Sequence, residues 1–228
     1  LEDIELRNLK NSGESEVKLS SVIGCDEVGR GCLAGPVVAG AILWEPYPSF
    51  DGLNDSKKLT LKQREDFFQK FKDFGLIFAT GSADINEIEE RNILCATRLA
   101  MERAVFEVLE RIRTKYLSFP NLDIVLIDGK AYPNGYLQNI PLDQKWIIKG
   151  DEKEPSIMAA SVIAKVLRDR YIKSLVDQFP EYEKYGWRTN VGYGTKKHFK
   201  AIKKYGITPF HRKTFDPIKT WLKEGIIK

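Results

Sequence analysis

Histidine and cysteine are scarce, with two and three residues in a chain of 228. The cysteines, Cys25, Cys32 and Cys95, form no Cys-x-x-Cys pair and are odd in number. That argues against a disulfide framework and, with so few histidines, against a zinc site. Buried, inert thiols in a reducing compartment are expected. Long apolar runs are missing too. The longest, roughly Pro36 to Trp44, is far below the roughly 20 residues that span a bilayer, so no membrane partner is expected. No charged-then-apolar leader opens the chain, and its first residue is Leu, so a trimmed N-terminus and a cytoplasmic setting are expected. Hydrophobic residues at 43% and charged residues at 30% are ordinary for a globular protein and exclude collagen-like, low-complexity and disordered classes. The length suits one medium domain, or one with a small appendage, and can bury a full core.

The net charge of +4 conceals an asymmetry. From Gly186 onward there are 11 Lys or Arg against two acids, Asp216 and Glu224, while the preceding 185 residues hold 25 bases and 30 acids. A cationic segment beside an acidic body is either a solvated face or a grip on a polyanion.

Periodicity and breaker residues lay out the elements. Residues 1–21 read as an arm or short helix. Strands are expected at Val22–Val28, Val37–Trp44, Leu76–Ala83, Asp123–Ile127 and Lys145–Lys149. A helix capped by Thr60 runs to about Phe74 and stops at Gly75. A long helix is expected over about Asn86–Tyr116, with Leu94, Met101, Val105, Val108 and Ile112 on its buried face and Glu107–Arg111 as an i,i+4 pair. A second long helix spans Pro155 to about Phe179, and its small face around Ala159, Ala160, Ser161 and Ala164 lets it pack closely on a sheet. Short helices follow near Lys196–Tyr205 and Pro217–Glu224. Short links among the first three strands favour antiparallel pairing, and helical crossovers favour parallel strands afterwards. The fold class is therefore α/β, a mixed five-stranded sheet flanked by helices. Residues 22–185 form its main body, and a basic helical segment, 186–228, packs on the same domain.

Acids recur at strand ends. Asp26 and Glu27 end the first strand, Asp128 ends another, and Asp151 follows a third. The carboxyl ends of strands form the usual ligand crevice of an open α/β sheet. Carboxylates gathered there repel one another, and hard divalent cations with oxygen ligands relieve that repulsion. Two such ions about 4 Å apart activate a water and steady the leaving oxygen of a phosphodiester. Adjacent strand residues point to opposite faces, so Asp26 and Glu27 share a site only if the strand bends or ends there, as Gly29 and Gly31 allow. Taken singly, Asp128-Gly129 also suits a turn and Asp151 a helix cap.

Cys25-Asp26-Glu27-Val28-Gly29-Arg30-Gly31, followed by Leu33-Ala34-Gly35-Pro36-Val37-Val38, resembles the opening signature of type 2 ribonucleases H, the bacterial ribonuclease HII family. The resemblance continues in order through Asp55-Ser56-Lys57-Lys58-Leu59, Ile127-Asp128-Gly129 and Lys149-Gly150-Asp151. It extends to the Ala159–Val166 run with Arg168-Asp169, to Gly192-Tyr193-Gly194-Thr195 with His198, and to Pro209-Phe210-His211-Arg212. It implies a ribonuclease H-like fold and a two-metal endonuclease, probed with Mg²⁺ or Mn²⁺, that acts in ribonucleotide excision repair and DNA replication. Such an enzyme cuts the RNA strand of RNA–DNA hybrids and incises duplex DNA 5′ of embedded ribonucleotides, leaving 3′-hydroxyl and 5′-phosphate ends. By carry-over, Asp26, Glu27, Asp128 and Asp151 are the metal ligands. Gly29, Arg30 and Gly31 face the ribose 2′-hydroxyl and the adjacent phosphate, Lys57 touches phosphate near the scissile bond, and Tyr193 stacks on a sugar. Lys196 and Lys197 belong to the cationic tail that positions the duplex. Asp169 is the rival fourth ligand and is otherwise expected to pair with Arg168 or Arg170. His198 and His211 are expected to be structural or phosphate-facing.

A monomer is expected. The rival readings are a ribonuclease HIII-like enzyme, which usually carries a substantial N-terminal domain, a resolvase-like nuclease, and a non-catalytic hybrid-binding module.

Overall fold

The computed structural model describes residues 21–45, 50–115, 122–131 and 137–227. The expected N-terminal arm lies outside them, apart from its last residue. Five strands, β1 (Ser21–Val28), β2 (Val37–Trp44), β3 (Phe78–Ala83), β4 (Leu122–Asp128) and β5 (Asp143–Ile147), form one sheet in the order β3-β2-β1-β4-β5. The β1–β2 and β2–β3 pairs are antiparallel, and β1–β4 and β4–β5 are parallel. The mixed sheet expected from the connection lengths is thus the observed one. β5 begins and ends two residues earlier than its apolar pattern indicates. Its ladder with β4 closes at Asp128–Ile147, and Lys149, at φ 57°, turns the chain out of the strand.

Helix α1 (Leu61–Asp73) starts at Thr60, whose side chain and Gln63 exchange hydrogen bonds with each other's backbone. This satisfies two orphan amides of the first turn. Helix α2 (Ile85–Lys115) covers one sheet face through Ala100, Met101, Ala104, Val105, Val108 and Ile112, which pack with Ile23, Cys25, Ala39 and Ala41. It is broken at Asn92, which has φ 68°. The Asn92 side chain caps the following segment by accepting from the amides of Leu94 and Cys95. The single helix expected over Asn86–Tyr116 is therefore two stretches across a kink. Leu94 and Cys95 fall just after it and are exposed, against the expectation that both are buried. Glu107 and Arg111 do pair, at 2.9 Å.

Helix α3 (Pro155–Gln178) covers the opposite face. A Cβ on Gly24 would lie 2.2 Å from the Ser156 carbonyl carbon, and one on Gly40 would lie 2.4 Å from the Ala160 carbonyl oxygen. Backbone thus meets backbone where small residues face each other. Gly40→Ala is expected to cost about 1–3 kcal/mol of stability, read as a lower urea midpoint with an unchanged slope.

The remaining helices, α4 (Trp187–Asn190), α5 (Lys196–Tyr205) and α6 (Ile218–Lys223), pack as a second core. There Tyr185, Trp187, Ile202 and Ile218 meet Leu33, Ala34, Ile172 and Leu175. No described helix is long and apolar enough to cross a membrane.

Candidate active site

The parallel ladder between β1 and β4 stops at Cys25–Ile127, one residue before the acids. Beyond that point β1 pairs only with β2, placing Asp26 opposite Gly40 and Glu27 opposite Ala39. Carboxylate oxygens of Asp26, Glu27 and Asp128 all lie within 4.8 Å of one another. β1 itself runs on to Val28 in its pairing with β2, so Asp26 and Glu27 meet within the strand and not at its end; only the ladder to β4 has stopped before them.

Asp128 holds the fourth acid in place. Its Oδ1 accepts from the amides of Gly150 at 2.7 Å and Asp151 at 3.3 Å, pinning the one-turn 3₁₀ helix Gly150–Glu152 to the end of β4. Asp151 is 6% exposed, and its Oδ2 accepts from Lys57 Nζ at 2.8 Å. Lys57 also lies 3.6 Å from Asp55.

Burial raises the pKa of Asp26 well above the carboxylate range, and the charges of Glu27, Asp128 and Asp151 add to it. Burial raises Glu27 as well, opposed by the Arg30 guanidinium at 2.8 Å, and it raises Asp128, helped by Asp151. Beneath them the Cys25 thiol is fully buried and pushed well up by burial and then by Asp26. Burial works to lower the Lys57 ammonium, but its bond to Asp151 and the neighbouring acids outweigh that and raise it. Carboxylates crowded in this way need either protons or a cation to offset their repulsion. The donor set is all oxygen and suits a hard divalent ion.

Among the substrate candidates, Gly29 has φ +90° and would drive a Cβ to 2.2 Å from Arg168 Nε. A Cβ on Gly31 would meet nothing within 4 Å. Arg30 is exposed and bonded to Glu27. Tyr193 is 38% exposed beside Lys165, whose Nζ lies 5.4 Å from the ring centroid. Burial pushes its hydroxyl up to about 12. Lys196 and Lys197 are brought to different places. Lys196 lines a surface pocket of about 350 Å³ with Phe199, Lys200, Lys203, Pro217 and Trp221, whereas the Lys197 stem lies against Gly186.

Asp169 is bonded to Lys165 at 2.9 Å, so it is an ion-pair residue, but not with Arg168 or Arg170 as expected. Arg170 reaches Glu65, and Arg168 is buried among carbonyls. His198 and His211 are fully buried, their Nε2 atoms 3.0 Å apart, with Trp187 Nε1 donating to His198. The Thr208 amide donates to His211 Nδ1, so the His211 proton sits on Nε2 and both rings are neutral. Burial, then His198, lowers His211 to about 3, and burial also lowers His198.

The motifs contain two residues whose roles the sequence reading did not assign. Arg168 and Arg212 are fully buried and make no ion pair among the described residues. Arg168 donates to the carbonyls of Ala34, Pro36 and Val191, and Arg212 to those of Gly29, Arg30 and Gly35. A signal for Arg168 exists, because it continues the buried stripe Ile157, Ser161, Ala164, Ile172, Leu175 at helical spacing.

Known proteins place this geometry. The family model described as Ribonuclease HII matches residues 23–218. A ribonuclease HII of Pelagibacter ubique is 48% identical over 199 residues, covering 87% of this chain and 97% of that one. A ribonuclease HII of Polynucleobacter necessarius is 44% identical over 202 residues, covering 89% and 95%. Among solved structures, the ribonuclease H2 from Pyrococcus horikoshii OT3 aligns with a TM-score of 0.67 at 26% identity, covering 90% of this chain and 98% of that one. The ordered motifs, the gathered acids and these matches agree: the chain belongs to the ribonuclease HII family, divalent-metal-dependent endonucleases with a ribonuclease H fold that act on nucleic acid.

Proposed function

We propose that the chain hydrolyses the RNA strand of RNA–DNA hybrids and incises duplex DNA on the 5′ side of an embedded ribonucleotide, leaving a 3′-hydroxyl and a 5′-phosphate. The observation that carries this reading is the meeting of Asp26, Glu27 and Asp128 oxygens within 4.8 Å, with Asp151 tied to Asp128 through its own amide. These four acids would hold Mg²⁺ or Mn²⁺. Bound there, two divalent ions supply an activated water and charge neutralisation at the leaving oxygen.

The chain's own groups do the rest. Lys57, anchored on Asp151 with most of its side chain exposed, offers an ammonium to a phosphate at the edge of the acids. The loop Gly29–Gly31 brings backbone close to a ribose, and the 2′-hydroxyl is the group that separates RNA from DNA at one position. Tyr193 offers a half-exposed ring to the sugar beside the junction. Lys196, Lys200 and Lys203 share one face of α5 and would hold duplex phosphates without reading sequence. The segment 186–228 would thus grip what the main body cuts. Three free thiols suit a reducing, cytoplasmic setting.

The test is incubation with Mg²⁺ and a DNA duplex containing one ribonucleotide. Cleavage 5′ of the ribonucleotide, with all-DNA duplex uncut, is expected. Binding without cleavage would make the chain a hybrid-binding module, and equal cutting of all-DNA duplex would sink the reading.

Gly31 offers a sharper check. Since an added methyl meets no protein atom, Gly31→Ala should keep its stability within about 0.5 kcal/mol. It should still lose about 10- to 100-fold in incision rate, because a Cβ would hold the ribose off its place. Wild-type kinetics in that variant would remove the loop from the substrate site.

A further inference from the structure

The loop from Gly29 to Gly35 is held by Arg212 in a way that dictates where its amides point. The guanidinium donates to the Gly29 carbonyl at 2.8 Å and to the Arg30 carbonyl at 2.8 Å. It also donates twice to the Gly35 carbonyl, at 3.0 and 2.8 Å. The same segment grips the loop through backbone: the Arg212 amide donates to the Leu33 carbonyl, the Gly35 amide donates to the Phe210 carbonyl, and His211 bridges Ala34. The face of the guanidinium lies 4.9 Å from the Phe215 ring centroid. Arg212 is fully buried, whereas Arg30 and Gly31 are exposed.

In a trans peptide the N–H points opposite to the C=O of the same unit. Carbonyls of Gly29 and Arg30 drawn inward to Arg212 therefore turn the amides of Arg30 and Gly31 outward. Resting on the reading of this loop as the ribose-facing element, we propose that Arg212 is the positioning residue for RNA–DNA discrimination. Its planar fork fixes two peptide planes so that their amides face the ribose 2′-hydroxyl. Only a fork can do this. Four bonds to three carbonyls need donors spread in one plane, which a lysine ammonium does not supply. A buried cation with no carboxylate partner among the described residues is also a costly way to secure a loop whose orientation does not matter.

Arg168 holds the other side. It binds the Ala34 and Pro36 carbonyls and reaches Val191, two residues from Tyr193. The Gly192 carbonyl in turn accepts from the amides of Leu33 and Ala34. The ribose-facing loop and the Tyr193 turn thus share one buried scaffold, in which, among the described residues, Arg212 is the side chain that bonds the first two carbonyls of the Gly29–Gly31 segment.

The test compares affinities for a DNA duplex with one ribonucleotide and for the all-DNA duplex, measured by fluorescence anisotropy with Ca²⁺ in place of Mg²⁺. Arg212→Lys keeps the charge but loses the fork. Its preference for the ribonucleotide duplex should fall about tenfold, the worth of a lost polar contact. Its all-DNA affinity and its Mn²⁺ binding by calorimetry should stay within about twofold. Phe215→Leu, which removes the ring under the guanidinium and leaves the donors, is assayed in parallel as the milder variant and should shift the preference in the same direction. A wild-type preference retained by the folded variants, or lost together with all-DNA affinity and Mn²⁺ binding, overturns the role of Arg212 and leaves the ribose-facing loop standing. A wild-type protein with no preference overturns both.

Discussion

Replacing Asp128 with Asn is expected to lower turnover about a thousandfold or more while leaving the fold intact. The loss follows from removing one of the four carboxylates proposed to hold the divalent ions, whose charge stabilisation is worth several kcal/mol, and about 4 kcal/mol corresponds to a thousandfold. The fold should survive because an Asn Oδ1 can still accept from the Gly150 and Asp151 amides that Asp128 now serves. Asp151 would therefore keep its place, and the defect would be chemical rather than structural. Single-turnover cleavage of a one-ribonucleotide duplex, alongside a circular dichroism melt, checks both halves. Unchanged turnover would remove Asp128 from the catalytic group.

The second large effect is on stability. Asp26→Asn should abolish activity and at the same time make the metal-free protein more stable near neutral pH. Asp26 is buried beside Glu27 and Asp128, and its folded-state pKa stands well above the unfolded value. For a group raised in this way, the folded state binds its proton more tightly than the unfolded state does. Stability from that proton is present below the unfolded pKa and is lost as pH rises through the folded one, so the buried carboxyl costs stability once the pH is above the unfolded value. Asn removes that cost and keeps an acceptor for the Glu27 amide, which now bonds Asp26 Oδ1 at 2.7 Å. Relieving an uncompensated buried charge contributes on the order of 1–4 kcal/mol, and each kcal/mol is worth about 2–4 °C at this size. In EDTA the variant should melt higher than wild type, and the gap should narrow on acidification. Mn²⁺ at a hundred times its dissociation constant should restore roughly 2.7 kcal/mol to wild type and much less to the variant. A variant that melts lower than wild type in EDTA at neutral pH would show that the acids are satisfied without a cation.

Much of this site could be read from the sequence because its signals are local. Glycine and proline punctuate the strands, so Asp26, Glu27 and Asp128 fall at strand ends before any coordinate is known. The connection lengths then separate antiparallel from parallel strands, while the strand order itself comes from the structure. The meeting of Asp26 with Glu27 was conditional, because alternation alone sends them apart. In the structure their oxygens do meet, although β1 continues to Val28 beside β2 and only its ladder to β4 has ended, at Cys25–Ile127.

What the sequence did not disclose depends on distant partners. Asn92 reads as an ordinary helix residue until its left-handed backbone and its caps onto Leu94 and Cys95 are seen; Leu94 had been assigned to the interior on periodicity and Cys95 as one of the inert thiols. Asp169 found Lys165, one turn back on the same helix, because its neighbouring arginines were drawn elsewhere, one to backbone carbonyls and one to Glu65. Arg212 enters the sequence reading only as the last residue of a C-terminal motif, with no role of its own. Its role appears only when residues more than 170 positions earlier are laid against it.

The most direct measurement is anomalous scattering from crystals of the protein with an RNA–DNA hybrid, soaked in Mn²⁺. Two peaks bounded by the carboxylates of Asp26, Glu27, Asp128 and Asp151, against a phosphodiester, are the expected result. Peaks elsewhere, or an empty acid cluster beside a bound hybrid, would contradict the account.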